Sequence, residues 1–410
     1  MRRRGLLLTV ALASVGAMTL GAQQGQPADP KRTPGVQGPA DPNRAAFLAA
    51  NCKNAPAPAA ARGGGGAPGA PAAGGGAPGA AGGGRAGGGA PAAPPAFQDV
   101  ASTEIPGVIA AGQHWKVIWE DKGNNADGIV AFDDGSVWLA QNDKSDVVRV
   151  DKDGKASVIY TDTYTGGSIA ANNKGQVFIG ERALGNAIWT LKPQRKLFAN
   201  MYNGEPLDCV AGIINDMSAD SKGGVYMTAG GVFYANPKGV IMGRYGTVGG
   251  NGIILSPDEK TLYVTGRVGG NAGGARGGAP GAGAAPAGGG RGGGGNNGGL
   301  VAFDVQPDGS LTNERQFAET CGDGSTIDGA GRIYCTGGRM TDPSDPTKTI
   351  AGIGVISPKG EILGVIPQPR GLINVAFGGP DKKTLYAVGI RDVQLMSIQM
   401  IAQGNKKRPK

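Results

Sequence analysis

The chain has little of what most catalytic and metal centres are built from. His114 is the single histidine among 410 residues and lies outside every motif described below. A Ser-His-Asp triad and a His-ligated metal site are therefore excluded. The four cysteines include no Cys-x-x-Cys pair, and no glycine-rich tract ends in the Lys-Ser/Thr of a phosphate-binding loop. Oxygen-bearing side chains remain as the candidate functional groups.

Long apolar runs are absent after residue 22. Residues 1–22 hold three arginines, an apolar run of about 17 residues and a small residue at Ala22, the layout of a secretory signal peptide. The alternative is a retained membrane anchor, but the run contains Thr and Ser and is short for ~30 Å of hydrocarbon. We therefore expect a protein exported to the periplasm or the extracellular space, with no membrane contact after signal removal.

The few cysteines leave the disulfide pattern open. In an exported protein a disulfide is expected. Cys321 could pair with Cys335, or Cys209 with Cys321, while Cys52 lies in a low-complexity tail. The sequence does not choose between these pairings.

Glycine and proline, by contrast, are abundant, with 78 and 28 residues. Residues 23–112, with an almost pure Ala/Gly/Pro tract at 55–95, are predicted to form a disordered tail and linker. A second tract, 269–299, interrupts the folded region as a disordered insertion. Its arginines resemble RNA-binding repeats but lack interleaved aromatics, which favours an inert loop.

The net charge of +8 comes largely from the signal and from the basic tail 404–410, "GNKKRPK". We expect that tail to be solvated and therefore predict no nucleic-acid partner.

One pattern recurs six times: a turn with Asp, Asn or Gly, followed by a β-rich run with an aromatic residue. Examples are "FDDGSVWLAQ" from 132 and "SPDEKTLYVTG" from 256. The aromatics of the six copies are Trp138, Phe178, Tyr226, Tyr263, Tyr334 and Tyr386. Their spacings are 40, 48, 37, 71 and 52 residues, and the insertion 269–299 accounts for the long one. A period of about 40 to 50 residues is typical of one four-stranded propeller blade per repeat.

The sequence therefore predicts an all-β fold, a six-bladed β-propeller over residues 113–403 in blade-sized repeats. The segment "HWKVIWED", 114–121, precedes the first full repeat and is the natural strand to complete the last blade. We expect a monomer.

The starts of the innermost strands carry a second pattern. In a propeller these strands line the central channel, so the residues at their starts converge on one axis. Five of the six matching positions hold Asp or Asn, and the exception is Gly167. The five are Asp127, Asn215, Asn251, Asp323 and Asn374. Convergent carboxylate and amide oxygens suit Ca²⁺, or Mg²⁺ or Mn²⁺.

With these motifs aligned, the folded region resembles the SMP-30/gluconolactonase/regucalcin-like family of six-bladed propellers. The resemblance rests on "NGIILSPDEKTLYVT", "GDGSTIDGAGRIY", "INDMSADSKGGVYMT" and "INVAFGGPDKKTLY". It implies one divalent metal in the channel, held here by Asp127, Asn251 and Asp323. Ca²⁺ is the expected cation, with Mg²⁺, Mn²⁺ or Zn²⁺ as alternatives, of which zinc is disfavoured because no thiolate or imidazole belongs to these motifs. The resemblance also implies that Asn215 helps to hold the substrate or a metal-bound water.

Two positions depart from the family pattern. Asp127 stands where the family has a longer Glu, and Ile213 replaces an arginine two residues before Asn215. The shorter Asp127 bears on metal affinity or position. The lost arginine, together with the reduction of the family's long insertion after "VYMT" to "AGGVFY", argues against a standard sugar-lactone pocket.

Two functions follow as alternatives. The first is a metal-dependent hydrolase of lactones or related esters, with a small lactone or sugar-acid-like substrate and Asp323 as both ligand and proton acceptor. In this hypothesis Asn374, Glu181 and Arg182 are further candidates for substrate contact, although an exposed ion pair would also explain Glu181 and Arg182. Asp216 is predicted to point away from the channel. The second function is a non-catalytic binding or scaffolding propeller with a structural Ca²⁺.

Overall fold

A computed structural model describes residues 32–33, 35–54, 97–269, 298–342, 345–389 and 392–410. Six four-stranded antiparallel sheets surround one axis, which confirms the predicted six-bladed all-β propeller. Each innermost strand contacts the innermost strands of both neighbouring blades, so the ring is closed. The predicted signal peptide and most of both glycine-rich tracts lie outside the described residues.

The strands are numbered in chain order, and each blade is built outwards from the axis. The first half of the chain contributes β1 (Lys116–Asp121), then blade 1 with β2 (Gly128–Ala131), β3 (Val137–Gln141), β4 (Asp146–Val150) and β5 (Ala156–Tyr160), blade 2 with β6 (Ser168–Ala171), β7 (Val177–Glu181), β8 (Ala187–Lys192) and β9 (Lys196–Ala199), a hairpin of β10 (Met201–Tyr202) and β11 (Glu205–Pro206), and blade 3 with β12 (Met217–Ala219), β13 (Val225–Thr228), β14 (Val232–Ala235) and β15 (Ile241–Tyr245).

The second half supplies blade 4 with β16 (Ile253–Leu255), β17 (Thr261–Thr265), β18 (Leu300–Val305) and β19 (Leu311–Ala318), blade 5 with β20 (Ser325–Ile327), β21 (Ile333–Asp342), β22 (Asp345–Ile356) and β23 (Ile362–Pro367), and blade 6 with β24 (Leu372–Gly378), β25 (Thr384–Gly389) and β26 (Val393–Gln399). Strand β1 pairs with β26 and completes blade 6, as the sequence predicted. This pairing joins the first strand of the propeller to the last and fixes the closure of the ring.

The repeated turn residues fold each blade locally. In every blade the Asp or Asn after the innermost strand accepts a hydrogen bond from the backbone N–H two residues later. These residues are Asp134, Asn172, Asp220, Asp258, Asp328 and Asp381. Such Asx turns mimic a backbone turn and set the hairpin from the first strand to the second.

The repeated aromatics lie in the second strand of each blade, and all six are buried. The apolar clusters that they join lie between adjacent sheets, as with Tyr334 of blade 5 and Phe377 of blade 6, whose rings are 4.9 Å apart. The core is therefore a ring of interfaces between blades.

Part of the predicted disordered linker is folded onto the propeller. Residues Gly38–Ala40 form a 3-10 helix and Arg44–Asn51 form helix α1. The helix is tied to helix α2 (Leu207–Val210) by a disulfide between Cys52 and Cys209. Phe47 and Leu48 bury their side chains against Leu184, which repays the ordering of this segment.

Neither predicted disulfide pairing is present, because Cys321 and Cys335 are free and buried. No local feature marks the observed pairing, since Cys52 and Cys209 are 157 residues apart and the docking of α1 brings them together.

The prediction of a solvated basic tail is wrong for Arg408 and Lys410, although Lys406 and Lys407 are exposed. Arg408 and Lys410 are 4% and 5% exposed, because the segment 404–410 enters the central channel. There its backbone and side chains replace solvent with carbonyl and carboxylate partners.

None of the helices in the described part of the chain combines the length and the hydropathy needed to cross a membrane.

Candidate functional site

The candidate site is the channel mouth, the end of the ring at which the innermost strands begin. Asp127 precedes β2 by one residue, Asn251 precedes β16 by two, and Asp323 precedes β20 by two. The carboxylates of Asp127 and Asp323 are close enough for the charge of Asp127 to raise the pKa of Asp323. The structure thus brings the predicted ligands towards one centre, but it gives them different partners.

Asp127 is held by an arginine from the next blade. Arg182, which follows β7 directly, places Nη1 2.6 Å from Oδ2 of Asp127, and both side chains are largely buried. The same guanidinium donates to the carbonyls of Ile214, at 2.6 Å, and Asn215. Burial raises the pKa of the Asp127 carboxyl, and the Arg182 charge opposes that rise. Arg182 therefore fixes Asp127 and crosslinks blades 1, 2 and 3 at the mouth.

Gly167, the one exception in the ring of Asp and Asn, provides the space for this arginine. A Cβ atom on Gly167 would lie 2.3 Å from Cζ of Arg182, and the Gly167 carbonyl accepts a hydrogen bond from Nη2 at 3.1 Å. Any larger residue would push the guanidinium out of the mouth.

Asp323 and Asn251 form the part of the mouth that lacks a cation. Burial raises the pKa of Asp323 well above its usual range, and the charges of Asp127 and Asp216 raise it further. A hydrogen bond from the Asn251 side chain and the more distant Arg182 act against that shift. Oδ1 of Asn251 is buried and has no hydrogen-bond partner among the described residues. Among the described residues, a carboxylate without a cation in direct contact thus lies beside an amide oxygen without a hydrogen-bond partner.

The backbone segments that carry Asn251 and Asp323 approach each other closely. A Cβ atom on Gly252 would lie 2.3 Å from the carbonyl oxygen of Asp323, which itself accepts from Oγ1 of Thr265 at 2.8 Å. The glycine after Asn251 is therefore needed for the contact between blades 4 and 5.

Asp216 and Lys410 belong to the same cluster, and sequence reasoning missed both. Nζ of Lys410 lies 2.8 and 2.9 Å from the two carboxylate oxygens of Asp216, and both side chains are 4% exposed. The prediction that Asp216 points away from the channel is wrong. It assumed strand alternation, but β12 begins only at Met217, so the alternation of a strand does not apply at Asp216.

The remaining two members of the ring, Asn374 and Asn215, make hydrogen bonds through side-chain and backbone atoms respectively. Asn374 donates from its amide to the carbonyl of Asp127 at 3.1 Å and accepts from the N–H of Val375 at 3.0 Å. It therefore positions the start of β2. Asn215 is partly exposed at the mouth, and its carbonyl accepts from Arg182.

Glu181 is not part of the cluster. It is 1% exposed and faces Arg32 and Arg195, each with a nitrogen 3.4 Å from its carboxylate. Glu181 and Arg182 thus point to different surroundings although they are adjacent in the chain. They do not form the exposed ion pair that the sequence offered as an alternative explanation. Burial raises the pKa of Glu181 to about 7, although Arg32 and Arg195 oppose the rise.

This shift predicts a pH-dependent stability. Between pH 4.5 and about 7 the folded protein keeps a proton on Glu181 that the unfolded chain releases. The stabilisation is complete below pH 4.5 and is lost as the pH rises through about 7. Glu181→Gln stays neutral, so its free energy of unfolding relative to the wild type should rise by up to about 3 kcal/mol between pH 4.5 and pH 8. Urea unfolding at the two pH values measures this difference.

Glu104→Gln, on the exposed surface, is the matched control and should leave the pH dependence unchanged. Equal pH dependence in the wild type and Glu181→Gln would contradict the assignment.

A divalent cation fits one half of the mouth. The Asp323 carboxylate and the Asn251 oxygen are hard oxygen donors that no cationic side chain of the described residues contacts directly. Asp127, the third predicted ligand, is engaged by Arg182. No group of three His, Cys, Asp or Glu within the described ranges is placed to hold a metal ion. Asp323 and Asn251 are therefore the residues that would hold a cation.

Comparison with known proteins agrees with the fold and with the resemblance drawn from the motifs. The family model described as "SMP-30/Gluconolactonase/LRE-like region" matches residues 295–390. The matched span covers the two outer strands of blade 4, all of blade 5 and the two inner strands of blade 6, and it includes Asp323 and Asn374. The predicted resemblance is thereby confirmed for this part of the chain.

Two solved structures share the propeller. A gluconolactonase of Xanthomonas campestris superposes with a TM-score of 0.54 at 18% identity, over 76% of this chain and 98% of that one. A second protein, described as a candidate gluconolactonase, gives a TM-score of 0.56 at 16% identity, over 74% and 99%. At these identities the likeness establishes the fold.

A curated relative matches only a short stretch. Phosphoribosylformylglycinamidine synthase subunit PurQ of Brucella abortus is 34% identical over 61 residues, which is 15% of this chain and 26% of that protein. The chain thus spans about a quarter of the length of the curated relatives that it matches.

Proposed function

We propose that the protein is a hydrolase of lactones or related esters that uses one divalent cation, Ca²⁺ in the first place, at the channel mouth. The observation that carries this proposal is the buried Asp323 carboxylate, which lacks a positive partner and lies next to the unpaired oxygen of Asn251. The family resemblance over residues 295–390 and the fold of the gluconolactonases support the same reaction class.

In this proposal the residues of the mouth have different roles. A bound cation would supply Lewis-acid polarisation of the substrate carbonyl and a lower pKa for a neighbouring water. Asp323 would hold the cation and accept the proton from the attacking water. Asn215, partly exposed at the mouth, would contact the substrate. Arg182 and Asn374 would act as positioning residues, because their polar atoms already bind Asp127 and the backbone.

The pairing of Asp127 with Arg182 favours a second candidate function. With one predicted ligand engaged, the mouth would bind Ca²⁺ through fewer protein oxygens, and the propeller would serve as a ligand-binding or interaction module without turnover. The two candidates differ in catalysis and agree on the cation.

A lactone panel separates the two. We expect the EDTA-treated protein to be inactive on aldonolactones and other small lactones, and Ca²⁺, Mg²⁺, Mn²⁺ or Zn²⁺ to restore acid release, measured with a pH indicator. A gain of at least about 100-fold on adding the best cation fits the several kcal/mol of a Lewis acid. Ca²⁺ binding without turnover on any lactone would favour the second candidate, and neither binding nor turnover would contradict both.

We further propose that the protein is exported to the periplasm or the extracellular space. The signal-like residues 1–22 support this, although they lie outside the described residues. The Cys52–Cys209 disulfide supports it independently, since such bonds persist in oxidising compartments.

A further inference from the structure

The segment 404–410 fills the channel from the end opposite the mouth. The N–H of Ala131, at the end of β2, donates to the carbonyl of Pro409 at 3.0 Å. Nη2 of Arg408 donates to the carbonyls of Leu255, at 2.6 Å, and Ser256, at 2.9 Å, at the end of β16. From this base the side chain of Lys410 reaches Asp216.

Asp216 couples this lysine to the cation half of the mouth. Its carboxylate accepts from the backbone N–H of Ile253 at 3.3 Å, two residues after Asn251. Its charge also raises the pKa values of Asp127 and Asp323. A change at Lys410 is therefore transmitted to Asn251 by a hydrogen bond and to Asp323 by charge.

The charges in the cluster leave a deficit of one. Among the side chains, the three carboxylates Asp127, Asp216 and Asp323 face the two cations Arg182 and Lys410, so these side-chain charges sum to −1 when all are ionised. Because Arg182 contacts Asp127 and Lys410 contacts Asp216, that deficit lies at Asp323. Without Lys410 it would be −2 and shared by two carboxylates.

We propose that Lys410 is a positioning residue of the mouth: by holding Asp216, it keeps this carboxylate out of the cation site and confines a divalent cation to Asp323 and Asn251. The inference rests on the proposed function, because it assumes a cation at these residues. It adds a residue from outside the blades to the site and gives the buried tail a role beyond filling the channel.

Calorimetric titration of the EDTA-treated full chain with Ca²⁺ at pH 7.5 tests the inference without an activity readout. Lys410→Met makes the local net charge −2, so the Kd should fall at least about tenfold or a second site should appear. Asp216→Asn makes it 0, so the Kd should rise at least about tenfold. Lys406→Met, on the exposed part of the same segment, should match the wild type.

Opposite shifts from the two halves of one ion pair would not arise from a merely structural contact. The double variant Lys410→Met/Asp216→Asn restores the net charge and should bind Ca²⁺ within about threefold of the wild type. The double variant also removes the buried Asp216 charge that Lys410→Met alone would leave unpaired. If Lys410→Met does not fold, the double variant and Asp216→Asn together still test the inference.

Each outcome separates the inference from the proposed function. Equal Kd values for Lys410→Met and Lys406→Met, with binding in the wild type, would overturn the inference and leave the proposed function standing. Binding by Lys410→Met but not by the wild type would support the inference and contradict the proposed function. Absence of binding in both would overturn the two together.

Discussion

Replacing Asp323 with asparagine should lower lactone hydrolysis at least about 1,000-fold, because under the proposed function the change removes both a cation ligand and the proton acceptor. The same variant should be at least as stable as the wild type at pH 7. Asp323 is a buried carboxylate whose ionisation is opposed by Asp127 and Asp216, so a neutral amide of the same shape relieves repulsion. Initial rates at saturating Ca²⁺ and urea unfolding of the two proteins measure the two effects.

Asp153→Asn is the matched control, since within the described part of the chain its carboxylate pairs only with Lys152, on the open surface. This variant should keep the wild-type rate and stability to within about 1 kcal/mol. A loss of stability in Asp323→Asn that matches its loss of rate would indicate a structural carboxylate, and full activity would remove Asp323 from the mechanism.

The blades could be predicted from the sequence because their determinants are local. Each Asx turn and each buried aromatic acts within one hairpin, as Asp328 does with Ala330 and the ring of Tyr334. A repeat of such hairpins at a period of one blade leaves few folds other than a propeller. The placement of Asp127, Asn251 and Asp323 at one mouth follows from the same register, since each stands at the start of an innermost strand.

The charge partners could not be predicted, because they come from distant parts of the chain. Lys410 lies 194 residues from Asp216. It belongs to the segment 404–410, whose composition is typical of a solvated tail. Arg182 left one signal: Gly167 interrupts a series of Asp and Asn at the position where the guanidinium needs space. A missing side chain in a regular ring is thus evidence for a long side chain from a neighbouring strand.

Replacing Arg182 with methionine should destabilise the fold by about 3 to 5 kcal/mol, the usual cost of removing one partner from a buried ion pair. The change leaves Asp127 without its nearest cation and frees the carbonyls of Gly167, Ile214 and Asn215, which now accept from the guanidinium. Arg149→Met is the control, because its pair with Asp134 is exposed and should contribute at most about 1 kcal/mol. Chemical unfolding at pH 7 compares the two.

A double-mutant cycle separates the two costs within Arg182. Asp127→Asn in the Arg182→Met background removes the unpaired carboxylate but not the unpaired carbonyls, so it should recover only part of the lost stability. In the double variant Asp127 is neutral and unpaired, so the same variants also show how Arg182 affects Ca²⁺ binding at the mouth.

If Arg182→Met alone tightens Ca²⁺ binding, Asp127 has been freed as the third ligand, and Arg182 sets the number of ligands. If Arg182→Met is as stable as Arg149→Met, the buried pair does not hold the blades together at the mouth.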